Sequence, residues 1–301
     1  MDRFEVLRRE LSRRCPGLEL RSGEPMSRHT SFHIGGPAAL MALPKTEEEA
    51  AEAVRTAAQL EVVPFFMGNG SNLLVSDRGV DRFLVKSVPG LGGCRLEETE
   101  LQAGGGITLA RLAVFARDRG LTGLEFAHGI PGSLGGAVTM NAGAYGGEMV
   151  QVVRSVTCLT ELGVEERVTN FDFGYRCSAF SDGKRMILSA RIKLERGDPE
   201  TIAARMEELA RRRQSRQPLE YPSAGSMFKR PAGHFAAALI DQCGLKGLSV
   251  GDAQVSEKHA GFVVNRGNAT CRDVLELVEA VRSRVLTETG VELEMEVKRL
   301  E

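Results

Sequence analysis

Apolar and charged positions alternate at helical spacing over residues 3–14, and Pro16 with Gly17 ends the run, which predicts an N-terminal helix. Thr46-Glu-Glu-Glu49 forms a capping box, and Val54, Ala57, Ala58 and Val62 supply the apolar face of a helix near 46–60. Val62 to Met67 reads as a short buried strand that runs into Gly68-Asn-Gly-Ser-Asn72 and then into a second strand-like run. Further strands are predicted over 83–88, 96–103, 150–159, 164–169 and 186–194, with a helix over 108–119 closed by Gly120 in the left-handed conformation. Asp198-Pro199 is a helix start, an N-cap followed by a proline whose missing N–H costs nothing there, and the helix should run to about 216. Beyond the loop that contains Pro218 and Pro222, a helix is expected over 233–243, a strand over 261–265, a helix over 270–289 closed by Gly290, and a last strand over 291–300. The pattern is that of an α+β protein with a change of character near residue 200 and a terminal strand returning to the first part.

Composition narrows this picture. The chain has 301 residues, and 39 Lys and Arg against 40 Asp and Glu give a formal net charge of -1, so no global field favours nucleic acid or an anionic membrane. Any anionic ligand must be held locally. At 42% hydrophobic residues the chain can bury a substantial core. The six cysteines include no C-x-x-C pair, which suits reduced thiols in a cytoplasmic protein. That location is also what an N-terminus without a long apolar run suggests, and no stretch reaches the ~20 apolar residues of a membrane span.

The 34 glycines cluster in loops. Gly68 and Gly70 supply the first two glycines of a G-x-G-x-x-G run, but Leu73 stands at the third and the loop leads into a strand, so a Rossmann site is excluded. No G-x-x-x-x-G-K-[ST] occurs, which removes a P-loop. What remains is a loop whose small residues let backbone N–H groups approach a diphosphate, with Asn69, Ser71 and Asn72 adding side-chain donors. The second cluster, Gly129-Ile-Pro-Gly-Ser-Leu-Gly-Gly-Ala137 followed by Asn141-Ala-Gly-Ala-Tyr-Gly-Gly147, is denser. Two such loops can grip one dinucleotide. Tight turns alone are the competing reading, weightier for Gly68–Asn72 than for the second cluster.

Seven blocks resemble the UDP-N-acetylenolpyruvoylglucosamine reductase family, in family order from about residue 20 to the end: His29-Thr-Ser-Phe-His-Ile-Gly-Gly-Pro37, Gly68 to Val75, Gly129 to Ala137, Asn141 to Tyr145, Gly174-Tyr-Arg-Cys-Ser178, Ala224-Gly-Ser-Met-Phe-Lys229 and Glu294-Met-Glu-Val-Lys298. The resemblance implies a p-cresol methylhydroxylase-type FAD-binding region of two α/β subdomains over 1–197, with its core at about 33–197. A C-terminal α+β substrate-binding domain over 198–290 would follow, with a strand over 291–301 returning to the active site. It implies non-covalent FAD, NADPH as reductant, and reduction of UDP-N-acetylglucosamine enolpyruvate to UDP-N-acetylmuramate in peptidoglycan precursor synthesis. No metal, nucleic acid, membrane or obligatory protein partner is expected. The strand at Met186 follows Tyr175-Arg176 too closely for the tyrosine-bearing lid that one branch of the family carries, so the chain resembles the shorter branch.

By the same resemblance the cofactor contacts fall on Gly68, Asn69, Gly70, Ser71, Asn72, Gly129, Ile130, Pro131, Gly132, Ser133, Gly135, Gly136, Ala137, Asn141, Gly143 and Lys298, the last balancing charge near the flavin N1 and C2 carbonyl. Arg176 is the expected catalytic arginine, a permanently charged fork for the substrate carboxylate and enolate. Glu294 and Glu296 share one face of the predicted terminal strand, and periodicity does not choose between them; the family block selects Glu296, a hydrogen-bond donor when protonated. Ser226, a turn serine on residue pattern alone, becomes the proton donor in that block, and Tyr175 and Lys229 become candidates for the UDP-sugar. The arginines at 211–213 read as a solvated helix end, His259 as structural and Cys177 as incidental. Two other readings compete. A different oxidoreductase of the same fold, acting on another sugar or alcohol, would keep the glycine loops without Ser226 and Glu296 in their blocks, and a flavin- or nucleotide-sugar-binding module would show no turnover.

Overall fold

The computed structural model describes residues 2–301. The chain divides into two compact units, the first comprising the residues up to Gly23, Ala39–Asn69 and Arg82–Arg211, the second Glu24–Ala38, Gly70–Asp81 and Arg212–Glu301.

In the first unit the helix Arg3–Arg14 starts on Asp2, whose carboxylate accepts from the Phe4 N–H, and buries Phe4, Leu7 and Leu11. The helix Glu47–Gln59 starts on Thr46, whose hydroxyl accepts from the Glu49 N–H as the capping box predicts. Both share a core with Leu40, Phe83 and Val85 of a four-stranded sheet ordered Glu19–Pro25, Pro37–Leu43, Val80–Lys86, Pro64–Met67. The first two of these strands were not anticipated. Pro37–Leu43 is buried along almost its whole length, so no polar alternation marks it.

The second sheet of this unit is antiparallel throughout, ordered Glu165–Val168, Val153–Thr160, Arg185–Lys193, Glu100–Gly104, Cys94–Glu97. Where the sequence predicts one strand over 96–103 there are two, joined by a turn in which Glu98 takes a φ of 59°. No glycine or proline signals that turn. One face of the sheet buries Val156, Cys158, Ala190 and Ile192 in a core that also receives Ile202 and Met206 from the helix Pro199–Arg216. That helix begins on Asp198 as expected, its carboxylate accepting from the Thr201 N–H at 2.9 Å.

The second unit is built on an antiparallel sheet ordered Ser223–Ser226, Phe262–Asn265, Ala253–Val255, Ser249–Val250. The helix Cys271–Thr289 packs Val274, Leu277, Val278, Val281 and Val285 into its core. Thr270 and Asp273 form a capping box at the start of this helix, and the Asp77 carboxylate accepts from the N–H groups of Cys271 and Arg272 at 2.7 and 3.1 Å. Gly290 ends the helix at a φ of 71°. The strand predicted over 291–300 is regular only at Lys298–Leu300, which pairs in parallel with Leu73–Val75. Upstream of it, Met295 forms an isolated antiparallel bridge with Phe228, through bonds of Glu294 and Glu296 to Lys229 and Met227, and the Leu293 carbonyl accepts from the Arg282 side chain, so a continuous ladder is interrupted.

His259 belongs to the frame of this unit. Its Nδ1 accepts from the Gly261 N–H at 3.1 Å, and its ring meets Phe262 edge-on with centroids 5.0 Å apart. Burial, with a smaller contribution from the Lys246 charge, holds its pKa below the usual 6.5. The unfolded chain therefore takes up the proton first as pH falls, and stability present above 6.5 is lost through the folded-state pKa. Urea midpoints measured between about pH 7.5 and about pH 5.5 should fall on acidification, and His259→Asn, which keeps an acceptor but does not titrate, should flatten part of that fall.

Candidate functional site

In the first unit the cluster Gly129–Ala137 is more than a loop, because its second half opens the helix Leu134–Thr139. Ser133 caps that helix, its hydroxyl accepting from the Gly136 N–H at 3.4 Å. The segment is fixed from below by bonds from the Leu109 N–H to the Gly132 carbonyl and from the Gly135 N–H to the Gly105 carbonyl. Gly68 lies flush against the cap, for a Cβ there would stand 2.1 Å from the Ser133 oxygen, and Asn69 donates from Nδ2 to the Pro131 carbonyl at 3.0 Å. Gly136 is exposed, and a Cβ on it would meet only that same oxygen, at 3.5 Å. The backbone of the first turn is thus open on one side. Neither glycine cluster contains a lysine or arginine, so an anion here is met by neutral donors.

Asn141 closes the second half of the cluster and is 3% exposed. Its Nδ2 donates to Glu148 Oε2 at 3.1 Å and to the Gly174 carbonyl at 3.2 Å, while its Oδ1 accepts from the Val150 N–H at 3.0 Å. The amide of this expected cofactor contact is therefore committed within the protein. One of its bonds holds the turn Gly174–Cys177, in which those two residues exchange N–H to carbonyl bonds and leave Tyr175 and Arg176 at the tip. Arg176 takes a φ of 56°, a costly conformation for a residue with a Cβ, and its guanidinium carbon lies 5.4 Å from the centre of the Tyr175 ring. Tyr175 is 52% exposed. Strain at an arginine on a two-residue tip agrees with a functional side chain whose direction matters.

The second unit gathers the remaining candidates. Gly70 takes a φ of 66°, and a Cβ on it would stand 2.1 Å from the His29 carbonyl oxygen, so only glycine fits. Asn72 donates from Nδ2 to the Glu296 carbonyl at 3.2 Å and accepts at its own carbonyl from the Lys298 N–H at 3.0 Å. Glu296 in turn donates its N–H to the Met227 carbonyl at 2.9 Å, next to Ser226. Ser226 ends the strand Ser223–Ser226 after a register shift, with Gly225 at a φ of 82° just before it. Backbone groups of Glu296 and Lys298 thus tie the terminal segment to Asn72 and to Met227, the neighbour of Ser226. The structure also separates the two carboxylates that periodicity left equivalent. Glu294 is exposed and ion-paired with Lys229, an expected substrate contact, whereas Glu296 is half-buried beside the Ser226 segment.

Sequence reasoning assigned no role to residues 29–34, although they formed one of the matched blocks. The signal was in the chain, since a Thr-Ser pair before a buried Phe supplies short polar side chains able to bond backbone groups at a distance. Among the cysteines, burial pushes the thiols of Cys94, Cys158 and Cys271 up to about 11, while Cys177 is exposed on the Arg176 turn. Limited alkylation of the native protein with iodoacetamide at about pH 8 should label Cys177 ahead of those three, as read by peptide mass spectrometry.

A family model described as FAD binding domain matches residues 38–169, and one described as UDP-N-acetylenolpyruvoylglucosamine reductase, C-terminal domain, matches residues 217–300. The chain is 49% identical over 278 residues to the UDP-N-acetylenolpyruvoylglucosamine reductase of Caldanaerobacter subterraneus subsp. tengcongensis, covering 91% of each chain. It is 44% identical over 301 residues to the reductase of that name from Clostridium kluyveri, covering 99% of this chain and 98% of the relative. The crystal structure of the Thermus caldophilus reductase superposes with a TM-score of 0.78 at 37% identity, over 94% of this chain and 99% of that one. Identity at this level over nearly the whole chain shows that the chain belongs to the UDP-N-acetylenolpyruvoylglucosamine reductase family.

Proposed function

We propose that the chain is a cytoplasmic, FAD-dependent reductase that uses NADPH to convert UDP-N-acetylglucosamine enolpyruvate into UDP-N-acetylmuramate, a step of peptidoglycan precursor synthesis. The observation that carries this reading is the second unit's assembly of Ser226, Glu296 and Asn72 through backbone ties. In this reading the FAD-binding region spans 1–197, the substrate-binding domain 198–290 and the terminal segment 291–301 completes the site; an FAD-binding model over 38–169 and a C-terminal-domain model over 217–300 support the first two of these parts. The residues present fit FAD. Gly68 leaves room only for backbone beside the Ser133 cap, and Gly136 exposes the first helical turn, which suits a diphosphate held by neutral N–H donors. When bound, FAD supplies the hydride chemistry between NADPH and the enolpyruvyl double bond.

The protein's own tasks follow from the substrate. Hydride addition at the terminal carbon of the enolpyruvyl group leaves negative charge spread onto its carboxylate, and a proton must then reach the adjacent carbon. Arg176 meets the carboxylate with a planar, permanently charged fork, carried on a two-residue tip whose backbone is closed by the Gly174–Cys177 bonds. Glu296, when protonated, donates a hydrogen bond to the developing enolate. Ser226 delivers the proton, a neutral donor sufficient for a base as strong as a carbon enolate, and is resupplied from water. Tyr175 and Lys229 contact the UDP-sugar, and the Glu294 pair holds the lysine side chain in place. Lys298 balances charge near the flavin N1 and C2 carbonyl.

The test is anaerobic stopped-flow spectroscopy at the flavin band. Protein mixed with NADPH should bleach, and the enolpyruvyl UDP-sugar should restore the colour; bleaching without recovery would discard the substrate, and a protein without flavin would discard the cofactor. Ser226→Ala should leave bleaching intact and slow recovery by roughly 100-fold to 10,000-fold. Arg176→Ala should cost at least about 100-fold in turnover. Gly70→Ala sets a Cβ against the His29 carbonyl in a left-handed turn, and should raise the FAD dissociation constant at least about tenfold in a flavin fluorescence titration.

A further inference from the structure

The block His29–Pro37 contributes no residue to the reaction just described, yet its centre touches two parts of the site. Ser31 lies in the second unit, and its backbone N–H donates to the Gly70 carbonyl at 3.3 Å, on the turn of the first glycine loop. Its hydroxyl donates to the Ser223 carbonyl at 2.7 Å, and Ser223 opens the short strand that ends at Ser226. One residue thus grips the glycine loop with its backbone and the proton-donor strand with its side chain.

The frame around Ser31 is rigid enough to transmit position. Phe32 and Ile34 are buried in the core of the second unit. The Phe32 carbonyl accepts from Asn265 Nδ2 at 3.1 Å, and Asn265 sits on the strand Phe262–Asn265 that pairs with Ser223–Ser226. The Thr30 hydroxyl donates to the Ile34 carbonyl at 3.1 Å, closing the loop on itself, and the buried His29 ring bonds Glu24 at 2.8 Å. The partner strand is short and irregular. It is four residues long, pairs at Ser223 and Ser226 across a register shift, is flanked by bonds from the Asn265 N–H to the Pro222 carbonyl at 2.9 Å and from the Met227 N–H to the Gly261 carbonyl at 2.8 Å, and contains a glycine at positive φ. A short, irregular strand takes its position from what it is tied to, and the Ser31 hydroxyl is a tie on its first residue.

We propose that Ser31 is a positioning residue for the reduction of the enolpyruvyl group, setting the Ser223–Ser226 strand, and with it the Ser226 hydroxyl, against the turn at Gly70. The inference rests on the reading of Ser226 as proton donor. Ser31 touches neither substrate nor cofactor in this scheme. Its loss acts on the protonation step through Ser226 and leaves the transfer of hydride from NADPH to FAD unchanged.

The holoenzyme and its Ser31→Ala, Ser31→Thr, Ser226→Ala and Ser31→Ala/Ser226→Ala variants are compared by anaerobic stopped flow, with bleaching by NADPH and recovery with the enolpyruvyl UDP-sugar measured separately. Ser31→Ala should keep its flavin and its bleaching rate within about twofold and slow recovery by about tenfold or more, since small misplacement of a reacting group is costly. Ser31→Thr, which retains the hydroxyl, should recover at close to the original rate. In the Ser226→Ala background, Ser31→Ala should add nothing, because residues acting through one group are not additive. Equal recovery rates for Ser31→Ala and the unaltered protein would overturn the proposal while leaving the proposed function standing, as would an additive effect in the double variant. Failure of the unaltered holoenzyme to recover at all would overturn the proposed function and this inference with it. If Ser31→Ala does not fold, Ser31→Cys, a weaker donor of similar size, replaces it with the same criteria.

Discussion

The double tie at Asn72 is the interaction on which the second unit's site depends. A side-chain amide donates to the Glu296 carbonyl while the same residue's carbonyl accepts from the Lys298 N–H, so residues more than two hundred positions apart are held in register. The parallel pairing of Leu73–Val75 with Lys298–Leu300 continues from that point, and the Glu296 N–H extends it to Met227. Buried backbone groups must be paired somewhere, and here their pairing decides which side chains become neighbours. The Glu296 and Ser226 segments come together through main-chain bonds, the Glu296 N–H donating to the carbonyl of Met227 beside Ser226.

That arrangement explains why two stretches from the N-terminal third belong to the second unit. Residues Glu24–Ala38 and Gly70–Asp81 leave their neighbours in sequence and supply part of the second unit's frame. Asp77 caps the helix Cys271–Thr289, Asn72 ties the terminal segment, and the His29–Ile34 loop backs Gly70 and holds Ser223. Each is a contact of long sequence separation. Such contacts order a site while adding Phe32, Ile34 and Leu74 to a hydrophobic core whose larger part comes from Cys271–Thr289 and the sheet beneath it.

The helices were legible in the sequence because their ends are chemically marked. Thr46 and Asp198 at the starts, and Gly120 and Gly290 at the ends, lie where the capping pattern put them. The strands were less so. Pro37–Leu43 is buried along both faces and has no alternation, and the turn at Glu98 takes a left-handed conformation without a glycine. The terminal segment shows the opposite failure. Its alternation of Leu293, Glu294, Met295 and Glu296 reads as a strand throughout, but it makes one isolated bridge, Met295 with Phe228, and single bonds to Arg282 and Asn72 before its last residues form a ladder. Periodicity reports which side chains are buried, and a chain tied at intervals buries alternate residues as a strand does.

The site shows the same limit more sharply. Residue types and spacing could mark the glycine loops, since close backbone approach leaves few alternatives to glycine, and Gly68 and Gly70 each abut an oxygen that a Cβ would strike. They could not mark Asn141 as the residue that holds the Arg176 turn, because an asparagine in a glycine-rich loop reads equally well as a ligand donor. Its bonds to Glu148, Gly174 and Val150 decide the matter only once the fold is known. The consequence for Arg176 is specific. The Gly174 carbonyl, two residues before Arg176, accepts from the buried Asn141 amide, so the backbone of the turn is set in folding, before any ligand arrives. In the role proposed for Arg176 that matters, because a charge facing an enolate is most effective when the chain that carries it need not reorganise.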